Sequence, residues 1–542
     1  MRDHSTSSEQ AVLTVWSTLG EKHLPFTAGP RLTDILSSGG LPVRSSCGGL
    51  GTCRLCLVRL TDLARDGQQA GEPTEAERLQ LTDEQLQQGY RLACQLRPVG
   101  SLTVIVENPV VLCDWRPLTA DEYSAIAIEP DAIVPHPRYA AAVDVGTTHI
   151  RLTLWDRLAG TRLAGYTGLN PQAAFGADIL TRLMEAIRSN RHAEEIREAA
   201  MQAIAEGLEM AVASADRSLD DIGEVRLVGN TAMLSLLSGK NFDLLLAPEH
   251  WHEKIDYAPT DAADFKTAWR LNEAASVIFE PSLGGFIGSD LSAAIVATRL
   301  TAGRDKAMLI DFGTNSEIAL WDGQALHLTS TPGGPAFEGC GISCGVPGGP
   351  GAIYRVRWPD DGPLAFDIQR ATQPTGLCGS GLVDAIAGLL KHGYLDKVGR
   401  LRDRRDFALT HDKTGRPIVL TARDIDTLQR AKAAIGAAIV SLCRQVGIDA
   451  SEIRRLCVCG AFGRLLDVDN AKAVGLLPNV SSAIVELESN AALAGCELAC
   501  LTVDDKARYR KLLQQAHIYN MADHEAYERS FVDNLYLQPI TF

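Results

Sequence analysis

Two segments of this chain, starting 167 residues apart, are close copies of each other. Asp144-Val-Gly-Thr-Thr-His-Ile-Arg-Leu-Thr-Leu-Trp-Asp156 and Asp311-Phe-Gly-Thr-Asn-Ser-Glu-Ile-Ala-Leu-Trp-Asp322 differ by one residue in length. Each follows an apolar run (Ala140–Val143 and Ala307–Ile310), turns at Asp-x-Gly-Thr and continues as an alternating strand. A long period with two copies indicates a duplicated lobe rather than a solenoid. The fold must therefore place two equivalent strand-turn-strand units in one body.

The turn suits a particular chemistry. Glycine lets a hairpin approach phosphates, threonine hydroxyls and amides donate hydrogen bonds, and a carboxylate at the strand end orients Mg²⁺ through its waters. One such turn is commonplace, whereas two after buried strands can clamp a triphosphate from both sides. Leu456-Cys-Val-Cys-Gly460-Ala-Phe-Gly463 is a strand ending in a glycine turn, suited to let an adenosine ring lie against backbone. Other nucleotide signatures fail: Lys240 lacks the glycine a P-loop needs, and no G-x-G-x-x-G follows a strand.

Near the N-terminus, Cys47, Cys53 and Cys56 are spaced C-x5-C-x2-C, and Cys94 follows after 37 intervening residues. Thiolates hold [2Fe–2S] clusters in this three-plus-one way. Gly48, Gly49 and Gly51 permit the loop angles that point amides at sulfur. A structural zinc site is the alternative, but zinc loops pair C-x2-C with a second pair, which Cys94 lacks. The pairs Cys340/Cys344, Cys457/Cys459 and Cys496/Cys500 sit in apolar company and read as buried thiols. His149 and His327 fall on strand patterns and read as packed or surface residues.

Three zones follow. Residues 11–107 alternate strand-like runs (Val12–Trp16, His23–Thr27, Leu55–Leu60, Leu102–Val106) with one short helix, Arg31–Ser37, an α+β pattern. Residues 108–138 are proline-rich without a period and read as a linker. From Tyr139 onward strands and amphipathic helices mix, as in Asp424–Val446. With 52 basic against 67 acidic residues the net charge is −15, which argues against nucleic-acid binding. The first 25 residues hold no signal-peptide core, and the longest apolar-looking run, Ala433–Cys443, falls short of the roughly 20 residues a membrane span needs. A cytosolic protein is expected, and its 13 cysteines read as thiols or metal ligands.

Residues 11–107 resemble a β-grasp ferredoxin domain with the adrenodoxin-like first gap. The body resembles the actin, sugar-kinase and heat-shock-chaperone ATPase superfamily, an α/β fold of two RNase H-like lobes. Asp144–Thr148 matches its first phosphate motif, Asp311–Asn315 the second and Gly460–Gly463 the adenosine motif, with Ala461 where many relatives have a second glycine. A ferredoxin head on such a body resembles the reductive activators of corrinoid proteins. Asn170-Pro-Gln, Gly176-Ala-Asp178, Gly229-Asn-Thr231, Pro335-Ala-Phe-Glu-Gly339, Gly376-Leu-Cys-Gly-Ser-Gly381 and Ala431-Lys-Ala433 look like that family's segments. The expected layout is a head at 1–107, a linker at 108–138 and an ATPase body at 139–542, with lobes of about 139–300 and 301–542.

The resemblance implies an ATP-dependent activase that returns the Co(II) of a methyltransferase system's corrinoid protein to Co(I), one electron at a time. Cys47, Cys53, Cys56 and Cys94 would hold the [2Fe–2S] cluster, loaded by an external low-potential donor, and ATP and Mg²⁺ would occupy the body. Asp144 and Asp311 are expected at Mg²⁺ and water. Gly146, Thr147, Thr148, Gly313, Thr314 and Asn315 are expected at the phosphates, Gly379, Ser380, Gly460 and Gly463 around the nucleotide. Glu317 and Glu338 are candidates to orient the attacking water, and Ser316 with Glu317 could offer oxygen donors to cobalt. A homodimer without membrane or nucleic-acid partners completes the expectation. The competing readings are an ATP-gated donor to a non-corrinoid enzyme and a small-molecule kinase with an accessory ferredoxin domain.

Overall fold

Alternating apolar residues in the first hundred positions fold as a five-stranded sheet. Its strands are β1 (Ala11–Ser17), β2 (Gly20–Phe26), β3 (Leu57–Leu60), β4 (Tyr90–Leu92) and β5 (Leu102–Val106), in the order β2-β1-β5-β3-β4. The computed structural model describes residues 11–17, 20–39, 41, 43, 49, 51, 56–106, 114–124, 133–176, 178–251, 253–339, 341–359, 362–402, 406–412, 415–460, 462–521 and 526–542. Cys47, Gly48, Cys53, Ala177, Cys340 and Ala461 lie outside them. The chain divides into two units, Met1–Trp115 with Gly168–Ala203, and Arg116–Thr167 with Ile204–Phe542.

In the first unit β1 pairs parallel with β5 and antiparallel with β2. Helix Leu32–Ser38 presses Leu32, Ile35 and Leu36 onto Leu13, Val15 and Val104, the β-grasp arrangement. Strand β4 and the short helices Leu63–Ala70, Glu75–Gln80 and Asp83–Gln87 were not legible as periods, since none is long enough to show one. A buried ion pair sets β4: Arg91 Nε lies 2.8 Å from a Glu77 oxygen that also accepts from the Leu92 amide at 2.9 Å. Burial pushes the Glu77 carboxyl up, but the Arg91 hydrogen bonds and charge outweigh it and hold the group below its ordinary range. Asn170 and Asp178, from two of the singled-out segments, cap the turn Pro171–Phe175 and the helix Ile179–Ala186.

The second unit carries the duplication. One sheet is β6 (Arg116–Pro117), β7 (Tyr139–Val145), β8 (His149–Asp156), β9 (Thr161–Leu169), β10 (Ile222–Gly229) and β11 (Ser276–Phe279), ordered β11-β10-β7-β8-β9-β6. Strands β12 (Ala307–Phe312), β13 (Ser316–Trp321) and β14 (Leu326–Thr331) begin the next sheet, followed by the smaller pairings β15 (Ala352–Arg357), β16 (Ala365–Ile368), β17 (Gly376–Leu377), β18 (Asp406–His411) and β19 (Pro417–Thr421). Strands β20 (Arg455–Gly460), β21 (Val485–Leu487) and β22 (Ala516–Ile518) complete it in the order β21-β20-β12-β13-β14-β22. Both sheets are thus an antiparallel meander with two parallel strands on one side and a single edge strand on the other. The strand β6 lies inside the segment read as a linker. Its proline is compatible with an edge position.

Helix Ala422–Val446 buries Ile425, Leu428, Ile435, Ile439 and Leu442 under the second sheet, matching the expected spacing, and ends at Gly447 in the left-handed region. Between the sheets, helix Ser289–Ala297 packs on helix Ala491–Leu501. No described helix is long and apolar enough to cross a membrane.

Candidate functional site

The two repeated hairpins face one cleft of about 550 Å³. Asp144 ends β7 and pairs across the hairpin with Arg151, while Asp311 ends β12 and pairs with Glu317. Equivalent positions of the two lobes therefore carry a guanidinium in one and a carboxylate in the other. Asp144, Gly146, Thr147, Thr148, Asp311, Gly313, Thr314, Asn315, Glu317, Glu338, Gly379, Ser380 and Gly460 all line the cleft. Ser316 does not. The Ser316 Oγ is buried and has no hydrogen-bond partner among the described residues.

Gly460 can be only glycine. Its φ is +86°, and a Cβ there would run into the Phe312 carbonyl and the Asp311 carboxylate. That close approach brings the third segment to the second hairpin. Beneath it, Phe312, Phe337 and Phe462 form a buried cluster with ring centroids 5.0–6.1 Å apart. Each of these rings adjoins a cleft-facing backbone segment, so the second hairpin, the Glu338 turn and the Gly460 turn share one support.

Four carboxylates crowd the cleft floor. The fourth, Asp290, carries no motif signal in the sequence. It sits in the first turn of helix Ser289–Ala297, whose Ser289 hydroxyl accepts from the Gly229 amide at 3.2 Å. Burial, then the charges of Asp144 and Asp311, push Asp290 up to about 8. Burial, then Asp144, push Asp311 up to about 6. Burial likewise raises Asp144, although Arg151 at 3.5 Å opposes it, and raises Glu317 well above its ordinary range. Such a floor is short of positive charge. Among the described residues no three of these side chains are grouped to ligate one ion directly. A small hard cation held through its own waters and through phosphate oxygens fits that geometry better than a bare ion in a protein cage.

Sequence reasoning also passed over Arg151, which lines the cleft beside His149, the residue read as packed or surface, and the rim formed by Arg116, Glu122 and Arg370. Arg116 pairs with Glu122 at 2.5 Å, and Asn490 donates to the Glu122 carbonyl at 2.6 Å. The segment that leads from the head thus forms part of the cleft wall. His327 is packed instead, against Asp322 and Tyr519. Cys457, Cys459, Cys496 and Cys500 are buried thiols, as their apolar neighbours suggested.

In the head, Cys56 and Cys94 are both buried, at 1% and 2% exposure. The hydrogen bond from Cys56 dominates in holding the Cys94 thiol down to about 6, against burial, with help from Gln95, the Gly51 amide and the Arg31 charge. Gln95 also donates to the Gly49 carbonyl at 2.7 Å, and Gly49 and Gly51 adopt φ of +84° and +77°. Two juxtaposed thiols with amide and guanidinium donors beside a left-handed glycine loop suit thiolate ligation of a cluster.

Three stretches of the chain match models of known protein families. Residues 20–99 match the model of the 2Fe-2S iron-sulfur cluster binding domain, residues 139–303 the RACo middle region and residues 305–541 the C-terminal, ASKHA domain of RACo. The chain is 29% identical over 569 aligned residues to the corrinoid activation enzyme RamQ of Eubacterium limosum, covering 90% of this chain and 92% of that one. It is 25% identical to the [Co(II) methylated amine-specific corrinoid protein] reductase of Methanosarcina barkeri, over 73% of this chain and 76% of the other. The fold superposes on a solved reductive activator for a corrinoid, iron-sulfur protein with a TM-score of 0.66 at 23% identity, covering 98% and 99% of the two chains. Ferredoxin head, middle region and ASKHA domain follow one another here in a single chain, which belongs to the family of reductive activators of corrinoid proteins.

Proposed function

We propose that this protein is an ATP-dependent activase that reduces the inactive Co(II) form of a corrinoid protein to Co(I). The observation that carries the reading is the pairing of two Asp-x-Gly-Thr hairpins across one cleft, on a chain whose head presents a thiol pair in a glycine loop. When bound by Cys47, Cys53, Cys56 and Cys94, a [2Fe–2S] cluster supplies a single low-potential electron, which we assign to an external reductant. Plant-type clusters sit near about −400 mV, and each ~59 mV uphill costs tenfold in a one-electron equilibrium. Nucleotide binding and cleavage can offset that cost only by favouring a conformation or complex in which transfer proceeds.

The residues divide the work as follows. Asp144, Asp290 and Asp311 would hold Mg²⁺ through its waters, and its charge would relieve their mutual repulsion. Gly146, Thr147, Thr148, Gly313, Thr314 and Asn315 offer donors to phosphate oxygens. The N-terminus of helix Gly379–Lys391, with Gly379 and Ser380, and the turn at Gly460 line the same cleft and would flank the rest of the nucleotide. Glu317 and Glu338 are our candidates to orient a water at the terminal phosphate. We take 1–107 as the head, 108–138 as the tether and 139–542 as the body. The test is anaerobic titration of Co(II) corrinoid proteins with the pre-reduced protein, with and without Mg-ATP. Appearance of Co(I) absorbance only with ATP supports the proposal, and its absence with every corrinoid partner refutes it. A phosphorylated small molecule would favour the kinase reading instead.

A further inference from the structure

Glu338 closes the last turn of Pro335–Glu338 and touches both lobes at once. One carboxylate oxygen accepts from the Thr148 hydroxyl and the other from the Thr314 hydroxyl at 3.1 Å. Thr148 belongs to the first hairpin and Thr314 to the second, so a single anion bridges the two loops. Its backbone is fixed from below. Phe337 is buried at 3% against Phe312 and Phe462, and any side chain at position 379 would strike the Phe337 carbonyl. The carboxylate is thus carried on a rigid support and aimed at two hydroxyls that the proposed function gives to phosphate.

We propose that Glu338 is a built-in competitor of the nucleotide phosphates, occupying their hydroxyl donors and joining the two hairpins until Mg-ATP displaces it. A carboxylate presents two anionic oxygens on one centre, as a phosphoryl group does, and satisfies the same donors. It cannot share them with a phosphate, because the cleft already holds Asp144, Asp290, Asp311 and Glu317 and a further anion would be repelled. Glu338 therefore sets nucleotide affinity and couples phosphate arrival to the turn that carries it. This inference rests on the ATP reading of the cleft.

The experiment is calorimetric titration of the full-length wild type, Glu338→Ala and Glu338→Gln with Mg-ATP, with magnesium tripolyphosphate and with adenosine. Loss of the competitor should tighten ATP and tripolyphosphate on the order of tenfold in Glu338→Ala, less in Glu338→Gln, and leave adenosine unchanged. The ligand-free Glu338→Ala protein should also melt lower than wild type, having lost the bridge, while its ATP-bound form should gain more on binding. Unchanged or weaker tripolyphosphate affinity in both folded variants overturns the proposal, including the case in which only turnover falls. A wild type that binds neither ATP nor tripolyphosphate removes the ATP reading itself, a result distinct from normal binding that the substitutions leave untouched. Should Glu338→Ala fail to fold, the Gln variant alone decides by the same comparison.

Discussion

Replacing Asp311 by Asn should make the ligand-free protein more stable and Mg-ATP less able to stabilise it. Asp311 pairs in register with Glu317 and lies close enough to Asp144 and Asp290 for their charges to act on one another. Burial lifts it from 3.8 to about 6, so ionising it in the folded state costs about 3 kcal/mol at 1.36 kcal/mol per pH unit. Because the folded carboxyl titrates above its unfolded counterpart, the wild type has this stability in full below pH ~4 and loses it as pH rises through about 6. The Asn variant carries no such slope, and near neutrality it should melt on the order of 5 °C higher without ligand. With Mg-ATP the order should reverse, since the cation neutralises Asp311 in the wild type and finds one carboxylate fewer in the variant. Thermal melts at about pH 5 and about pH 7.5, with and without Mg-ATP, read all four states. A variant that melts no higher than wild type at the upper pH, together with equal protection of both by Mg-ATP, would refute the charge-crowding argument.

Three further outcomes are expected. Cys94→Ser should abolish the visible absorbance of the anaerobically reconstituted protein and Co(I) formation while leaving ATP hydrolysis intact, measured on the same preparation. Glu77→Ala strands the Arg91 guanidinium, 4% exposed, in the head; chemical unfolding should show a loss of about 3–5 kcal/mol and weaker retention of the cluster. Lys432 is fully buried, donates to the Tyr536 carbonyl at 2.7 Å and is pushed by burial down to about 7. Its folded state binds protons less readily than its unfolded state, so wild-type stability should rise with pH above neutrality. Lys432→Met should flatten that rise and gain up to about 4 kcal/mol near pH 7 in urea melts.

Local chemistry was legible in the sequence where it is carried by contiguous residues. The two hairpins, the Gly460 turn and the spacing of helix Ala422–Val446 each declare themselves within a few positions, and the duplicated sheets follow from the repeat. What escaped depends on the chain returning to one place. Asp290 lies in the first turn of a helix from the first lobe, and only the packing of that helix between two sheets brings its carboxylate to Asp144 and Asp311. Ser316 illustrates a different failure. It adjoins Glu317 on β13, and successive strand residues point to opposite faces. A strand that turns Glu317 into the cleft must turn its neighbour away, as the buried Ser316 Oγ confirms. The 108–138 segment lacks a period because β6 needs only two residues to add an edge, yet through Arg116 and Glu122 it becomes part of the cleft wall.

The duplication also explains why the site is asymmetric. Two copies of one hairpin give two equivalent scaffolds, and identical residues on both would place like charges opposite each other. Here the position facing the strand-end aspartate is Arg151 in one lobe and Glu317 in the other. The first lobe partly neutralises Asp144 with Arg151, while Asp311 and Glu317 of the second lobe, together with Asp290 of the first, leave the cleft floor in need of a cation. Glu338 adds a bridging anion to the same space from a third segment. A ligand suited to a cleft so charged brings both a cation for the acidic floor and oxygens for Thr148 and Thr314, and a metal-bound polyphosphate meets both requirements.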